Sequence, residues 1–189
     1  MRPSSVRPDC DLSVVIRTRD DEECIGSVLL RLHTHLVARG LHFELLIADE
    51  NSGDNTLAVA TLLKAQLPEV RLYQCSAGAG YFHCSNLARG RLLLLCDARS
   101  IGPLTGIGFG LGELQRGVDV LAISGRYLMM RRTRALRAFS SLRARTRSPV
   151  RIERRFVRKS RALGLTCQVA GSRAEPPALT ALRRALLSK

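Results

Sequence analysis

The chain has 189 residues, 46% of them apolar, enough for one domain with a sizeable core. Aromatics make up 4% and Trp is absent, which argues against a stacking platform for single-stranded nucleic acid. The net charge of +14 is lopsided. Residues 123–189 carry 18 Lys and Arg against Glu153 and Glu175, whereas residues 1–122 sum to −2.

In chain order, Leu12–Ile16 is short, apolar and β-branched and reads as a strand. From Asp21 the apolar residues Ile25, Val28, Leu29, Leu32 and Leu36 fall at helical spacing, and Arg39-Gly40 closes the helix. Phe43–Ala48 is a second strand. Asp54 caps a helix carrying Leu57, Ala60, Leu63 and Leu67, stopped by Pro68. Val70–Gln74 is a third strand, followed by a loop with Gly78 and Gly80 and a short helix to Arg89-Gly90. Leu92–Leu95 is apolar on both faces, as a central parallel strand requires. Gly106, Gly108, Gly110 and Gly112 alternate, and the expectation there is a loop entering a weak helix. Val118–Ile123 is a fifth strand. Beyond Tyr127 the chain turns basic, with helices expected over 131–145 and 150–163 around Ser148-Pro149, and a last strand at Leu165–Val169. Pro176-Pro177 then precedes a short amphipathic tail helix.

This alternation predicts an α/β fold with a mostly parallel sheet and helices on both faces. Ligands of such sheets bind beyond the carboxyl ends of the strands. Acids collect there: Asp20 to Glu23, then Asp49, Glu50 and Asp54, then Asp97. Converging acids could hold a divalent cation or accept hydrogen bonds from a base and ribose hydroxyls. Acids at helix N-termini also simply complement the helix dipole, and for Asp20 to Glu23 that plainer reading is preferred. His33 and His35 are two apart on one helix and do not face one ligand; Asp119 sits inside a strand and reads as structural.

Three blocks carry a family resemblance. Ser13-Val-Val-Ile-Arg-Thr-Arg-Asp-Asp-Glu-Glu-Cys-Ile25 resembles the S-V-V-I-P-T-Y-N-E-E-x-x-I opening of family 2 glycosyltransferases. Leu45-Leu-Ile-Ala-Asp-Glu-Asn-Ser-Gly-Asp-Asn-Thr56 resembles their V-V-D-D-G-S-x-D-G-T. Gly90-Arg-Leu-Leu-Leu-Leu-Cys-Asp-Ala-Arg99 resembles G-D-x-V-x-x-L-D-A-D, and Gly80-Tyr-Phe-His83 looks like a segment of dolichyl-phosphate mannosyltransferase relatives. The ordered blocks span roughly residues 12–127.

The resemblance implies the GT-A, Rossmann-like fold of nucleotide-diphospho-sugar transferases. Residues 1–127 would be the nucleotide-sugar-binding part, and 128–189 a basic, mainly helical acceptor side of the same domain. The donor would be a UDP- or GDP-linked sugar. Thr18 would line its pocket, Asp21 would contact the nucleoside and Asp49 the base ring N–H. Asp97, first of the Asp-x-Asp motif, would meet ribose and a Mn2+ or Mg2+ ion.

The second Asp, the usual metal ligand, is Arg99 here. Either Arg99 neutralises the diphosphate itself, or the metal site and the transfer are lost. Arg17 and Arg19 replace the family's Pro and Tyr, and Asn51 replaces a Gly, whose positive φ Asn tolerates. Counting back from Gly164 assigns the acceptor-side base to Glu153, for which a first-turn helix acid is the plainer reading; Met130-Arg-Arg-Thr133 resembles an upstream element.

The leading expectation is transfer of a sugar to an unspecified acceptor, lipid-linked or polysaccharide. The alternatives are an inactive nucleotide- or partner-binding module and, last, nucleic-acid binding through the basic third. No signal-like or membrane-spanning stretch and no Cys-x-x-Cys pair occurs, so a cytoplasmic protein is expected, with peripheral contact to an acidic membrane as one use of the basic third.

Overall fold

The computed structural model describes residues 9–123, 127–133, 136 and 149–170, and of 149–155 only the backbone. Strand and helix alternate as β1 (Cys10–Thr18), α1 (Glu22–Val37), β2 (Phe43–Asp49), α2 (Thr56–Gln66), β3 (Val70–Gln74), α3 (Gly80–Leu87) and β4 (Gly90–Asp97). A 3-10 turn (Ala98–Ser100), α4 (Thr105–Gln115), β5 (Val120–Ile123) and β6 (Tyr127–Arg131) follow, then α5 (Pro149–Ala162) and β7 (Cys167–Ala170). Much of the expected 131–145 helix and all of the tail after Pro176-Pro177 lie outside the described residues.

The seven strands form one sheet in the order β3-β2-β1-β4-β6-β5-β7. All neighbours are parallel except β6, which runs antiparallel to both β4 and β5. The architecture is the GT-A, Rossmann-like α/β fold expected from the sequence.

Side chains alternate across a pleated sheet, and the two cores follow that period. Leu12, Val14 and Ile16 of β1 pack with Leu92, Leu94 and Cys96 of β4 beneath α1, α2 and α4. On the opposite face Val15, Leu93 and Leu95 pack with Tyr81 and Cys84 of α3 and with Phe156 and Val157 of α5. The buried stripe of α1 is the expected one: Ile25, Val28, Leu29, Leu32 and Leu36.

Two findings differ from the expectation. The alternating glycines lie inside α4 rather than in a loop. Gly110 faces the sheet so closely that a Cβ there would stand 2.3 Å from Met129 Sδ, and Gly106 is equally crowded by Tyr127. Glycine thus lets α4 approach β6, and this close packing offsets its poor helix propensity. The second is β6 itself, a five-residue run buried at four positions that inserts between β4 and β5.

Candidate functional site

The parallel strands β1, β2 and β4 end together, because Arg17 pairs in register with Asp97 and Thr18 with Asp49. Beyond these ends lies a cleft of about 370 Å³. Its walls carry three guanidinium groups (Arg17, Arg19, Arg99), three carboxylates (Asp21, Glu50, Asp97) and Ser100.

The pleat decides which residues arrive there. Arg17 and Asp97 share the parity of Val15 and Leu95, so they rise on the α3 side of the sheet. Glu50, one residue past β2, follows Ala48 to that side, where its Oε1 accepts the Gly80 N–H at 3.1 Å. Asp49 and Thr18 have the opposite parity. Both are buried, and both carboxylate oxygens of Asp49 are taken by Ser52, through its hydroxyl and its amide.

Arg17 donates through Nη2 to Asp97 Oδ2, and its Nη1 lies 3.7 Å from Glu50 Oε2. Its guanidinium also sits over the Tyr81 ring at 5.7 Å. Burial alone would lower its pKa, but the hydrogen bond and charge of Asp97, with Tyr81 and Glu50 adding, raise it on balance. Burial, with the Asp97 charge adding, pushes the Tyr81 phenol well up, so that hydroxyl is a neutral group.

Asp21 is the hub on the other wall. Its Oδ2 accepts the Thr18 hydroxyl at 2.8 Å and the Arg19 N–H at 2.9 Å, while Oδ1 accepts Arg99 Nε. Arg99 Nη2 donates to the Asp20 carbonyl, and the Arg99 side chain remains 66% exposed. The bond and charge of Asp21 raise its pKa, so Arg99 is a fixed cation at the cleft mouth.

The remaining acids of the loop serve helix ends. Asp20 accepts the Gly53 N–H at 2.7 Å and Glu22 the Asn55 N–H at 2.8 Å, while Asp54 accepts the amides of Glu22 and Thr56. They bind the α1 and α2 N-termini to each other, the plainer of the two readings given above. Asp20 and Asn51 reach this geometry at positive φ, 54° and 57°, which short polar side chains tolerate.

Of the residues picked from sequence, Asp21, Asp97 and Arg99 line the cleft, whereas Thr18 and Asp49 support it from behind. Glu153 lies on α5, and its side chain falls outside the described residues. His83 stacks edge-on against Tyr73 at 6.0 Å and does not line the cleft. Asp119 accepts the Thr166 N–H at 3.1 Å, a structural role. Arg132, from the Met130–Thr133 segment, donates to the Ala88 carbonyl at 2.8 Å. Ser100 is a lining residue that the sequence did not single out, and Glu50 was named only among the acids at the strand ends, with no role of its own.

The cleft does not fit a divalent cation. Among the described residues no three His, Cys, Asp or Glu side chains converge to ligate one. Asp97 is already engaged by Arg17, and Arg99 places a positive charge where a further ligand would be needed. Among the described residues no helix is long and apolar enough to cross a membrane.

No protein-family model matches the chain, and none of the curated proteins does. Solved structures do. A mannosyltransferase from Pyrobaculum calidifontis, solved with GDP-Man and Mn2+, superposes with a TM-score of 0.68 at 13% identity over 90% of this chain. Glucosyl-3-phosphoglycerate synthase from Mycobacterium tuberculosis, solved with Mn2+, UDP and phosphoglyceric acid, gives 0.65 at 17% identity over 92%. Mannosyl-3-phosphoglycerate synthase from Rubrobacter xylanophilus gives 0.62 at 16% over 95%. The chain spans 58% of the length of the first, 74% of the second and 72% of the third. At these identities the likeness is one of fold.

Proposed function

We propose that the protein binds a nucleotide diphosphate-sugar, UDP- or GDP-linked, across the ends of β1, β2 and β4 and transfers its sugar to an acceptor hydroxyl. The observation carrying this reading is the placement of the charged cleft. Three carboxylates and three guanidiniums meet at the carboxyl ends of parallel strands, where ligands of such sheets bind. Solved proteins of the same fold hold GDP-Man or UDP.

In the proposed reaction the bond from the anomeric carbon to the β-phosphate oxygen breaks and a bond to the acceptor oxygen forms. The acceptor proton passes to a carboxylate, proposed to be Glu153, and the nucleoside diphosphate leaves against the cleft arginines. Asp97 would accept hydrogen bonds from the ribose, and Asp21 would hold Thr18 and Arg99 at the nucleoside side. Asp49, locked by Ser52, would fix the β2–α2 turn beside the base. The acceptor, lipid-linked or polysaccharide, would approach over the basic 128–189 side.

The test is release of free nucleoside diphosphate from a panel of UDP- and GDP-sugars incubated with acceptor extracts. Asp97→Asn and Glu153→Gln should each reduce turnover by at least about 100-fold. Unchanged turnover in the folded variants would reject those roles. A binding module without transfer is the second reading, favoured by the closed Arg17–Asp97 and Arg99–Asp21 pairs, which occupy the carboxylates. It predicts nucleotide binding with no turnover at all.

A further inference from the structure

We propose that the cleft holds the diphosphate of its nucleotide directly on guanidinium groups, with no divalent cation taking part. This rests on the nucleotide reading above and deepens it.

Each carboxylate of the cleft already has a partner. Asp97 accepts from Arg17, Asp21 accepts from three donors, and Glu50 accepts the Gly80 amide with Arg17 at 3.7 Å. A divalent cation needs a shell of oxygen ligands and would have to displace Arg17 to obtain Asp97. Arg17 is poorly placed to leave. Its side chain is 13% exposed, wedged between two acids and lying over Tyr81, and a guanidinium cannot shed its charge. The incoming ion would also meet Arg99 across the same cleft.

An oxyanion meets the opposite situation. Arg99 Nη1 has no hydrogen-bond partner among the described residues, and the Arg19 side chain, 53% exposed, makes a loose 3.8 Å contact with Asp20. Both line the cleft with unspent N–H donors in the fork geometry that suits phosphate oxygens. Moving Arg99 onto a phosphate would not strand Asp21, which keeps the Thr18 hydroxyl and the Arg19 amide. The three arginines balance the three acids of the cleft, so anion binding can proceed by exchange of partners rather than by desolvating an unpaired charge.

The experiment is titration calorimetry of the full chain with ADP, CDP, GDP, UDP and dTDP, each in excess EDTA and in excess Mn2+. At least one nucleotide should bind in EDTA, with a Kd within about twofold of its value in Mn2+. Arg99→Ala, which removes a side chain 66% exposed, should weaken that binding in EDTA by roughly tenfold or more in a protein whose circular dichroism matches the parent chain. Binding that requires Mn2+, or an Arg99→Ala protein that binds unchanged, would overturn the cation-free site and leave the nucleotide reading standing. Absence of binding by all five nucleotides in both conditions would overturn both.

Discussion

Arg17 stands at the penultimate position of β1, and the pleat turns it toward Asp97, Glu50 and Tyr81 rather than into the α1 core. The motif of the resembling family has a proline, which carries no charge, at this position. Combining Arg17→Ala with Arg99→Asp frees Asp97 and adds a second carboxylate two residues on. This double variant should acquire Mn2+-dependent nucleotide binding, read by calorimetry in Mn2+ against EDTA. Arg99→Asp alone should not, because Arg17 still holds Asp97; metal dependence in that variant would show that Arg17 yields. Asp97 was legible because it closes an apolar strand, and Arg99 because it falls two residues on, at the second position of the motif; Asp21 was picked through the family resemblance alone. The division of labour between Asp49 and Glu50 was not legible. Adjacent acids past a strand look equivalent in sequence, and only the sheet's parity sends one behind the cleft and the other into it.

At the scale of elements, α4 shows how packing overrides propensity. Glycine is a poor helix former, yet Gly106 and Gly110, one turn apart, allow the helix to lie against β6. Gly110→Leu should therefore destabilise the protein by about 1–3 kcal/mol through overpacking on Met129 and Leu121. Gly112 meets nothing within 4 Å, and Gly112→Ala should stabilise by about 0.5–1 kcal/mol. Urea denaturation of both variants checks the contrast, and equal effects would contradict the assigned helix face. Strands β1 to β5 and helix α1 were readable because their apolar periods are strong and their ends are marked. Strand β6 was not, because a short continuous apolar run beside an arginine-rich stretch has no period that separates strand from helix.

The joint between α1 and α2 is an element-scale device too. Desolvation pushes the Asp54 carboxyl up, but the hydroxyl and amide of Thr56 and the amide of Glu22 together outweigh it and hold its pKa below the ordinary value. A depressed folded-state pKa gives stability that is complete above the unfolded value and is lost as pH falls through the folded one. Asp54→Asn should remove that part of the acid limb of the stability curve. A variant whose acid denaturation matches that of the parent chain would show that the cap does not contribute.

Across the whole molecule the charge is split, −2 over residues 1–122 and +16 over residues 123–189, and the cleft lies on the near-neutral side. The basic side predicts co-sedimentation with phosphatidylserine vesicles that fades as salt shortens the screening length. Salt-insensitive binding, or none, would remove the peripheral-membrane role from the reading. The sheet itself was legible as a class, since strand–helix alternation leaves few alternatives to parallel pairing. Its reversal at β6 was not, because β6 was not itself recognisable as a strand.

The central claim, a nucleotide-sugar site at the ends of β1, β2 and β4, is tested most directly by thermal unfolding against UDP, GDP and their sugars. A ligand present at about 100 times its Kd adds roughly 2.7 kcal/mol. At about 2–4 °C per kcal/mol for a chain of this size, the predicted result is a rise in Tm of about 5–11 °C with one nucleotide family. An unchanged Tm across the whole panel would contradict the site and leave only the fold.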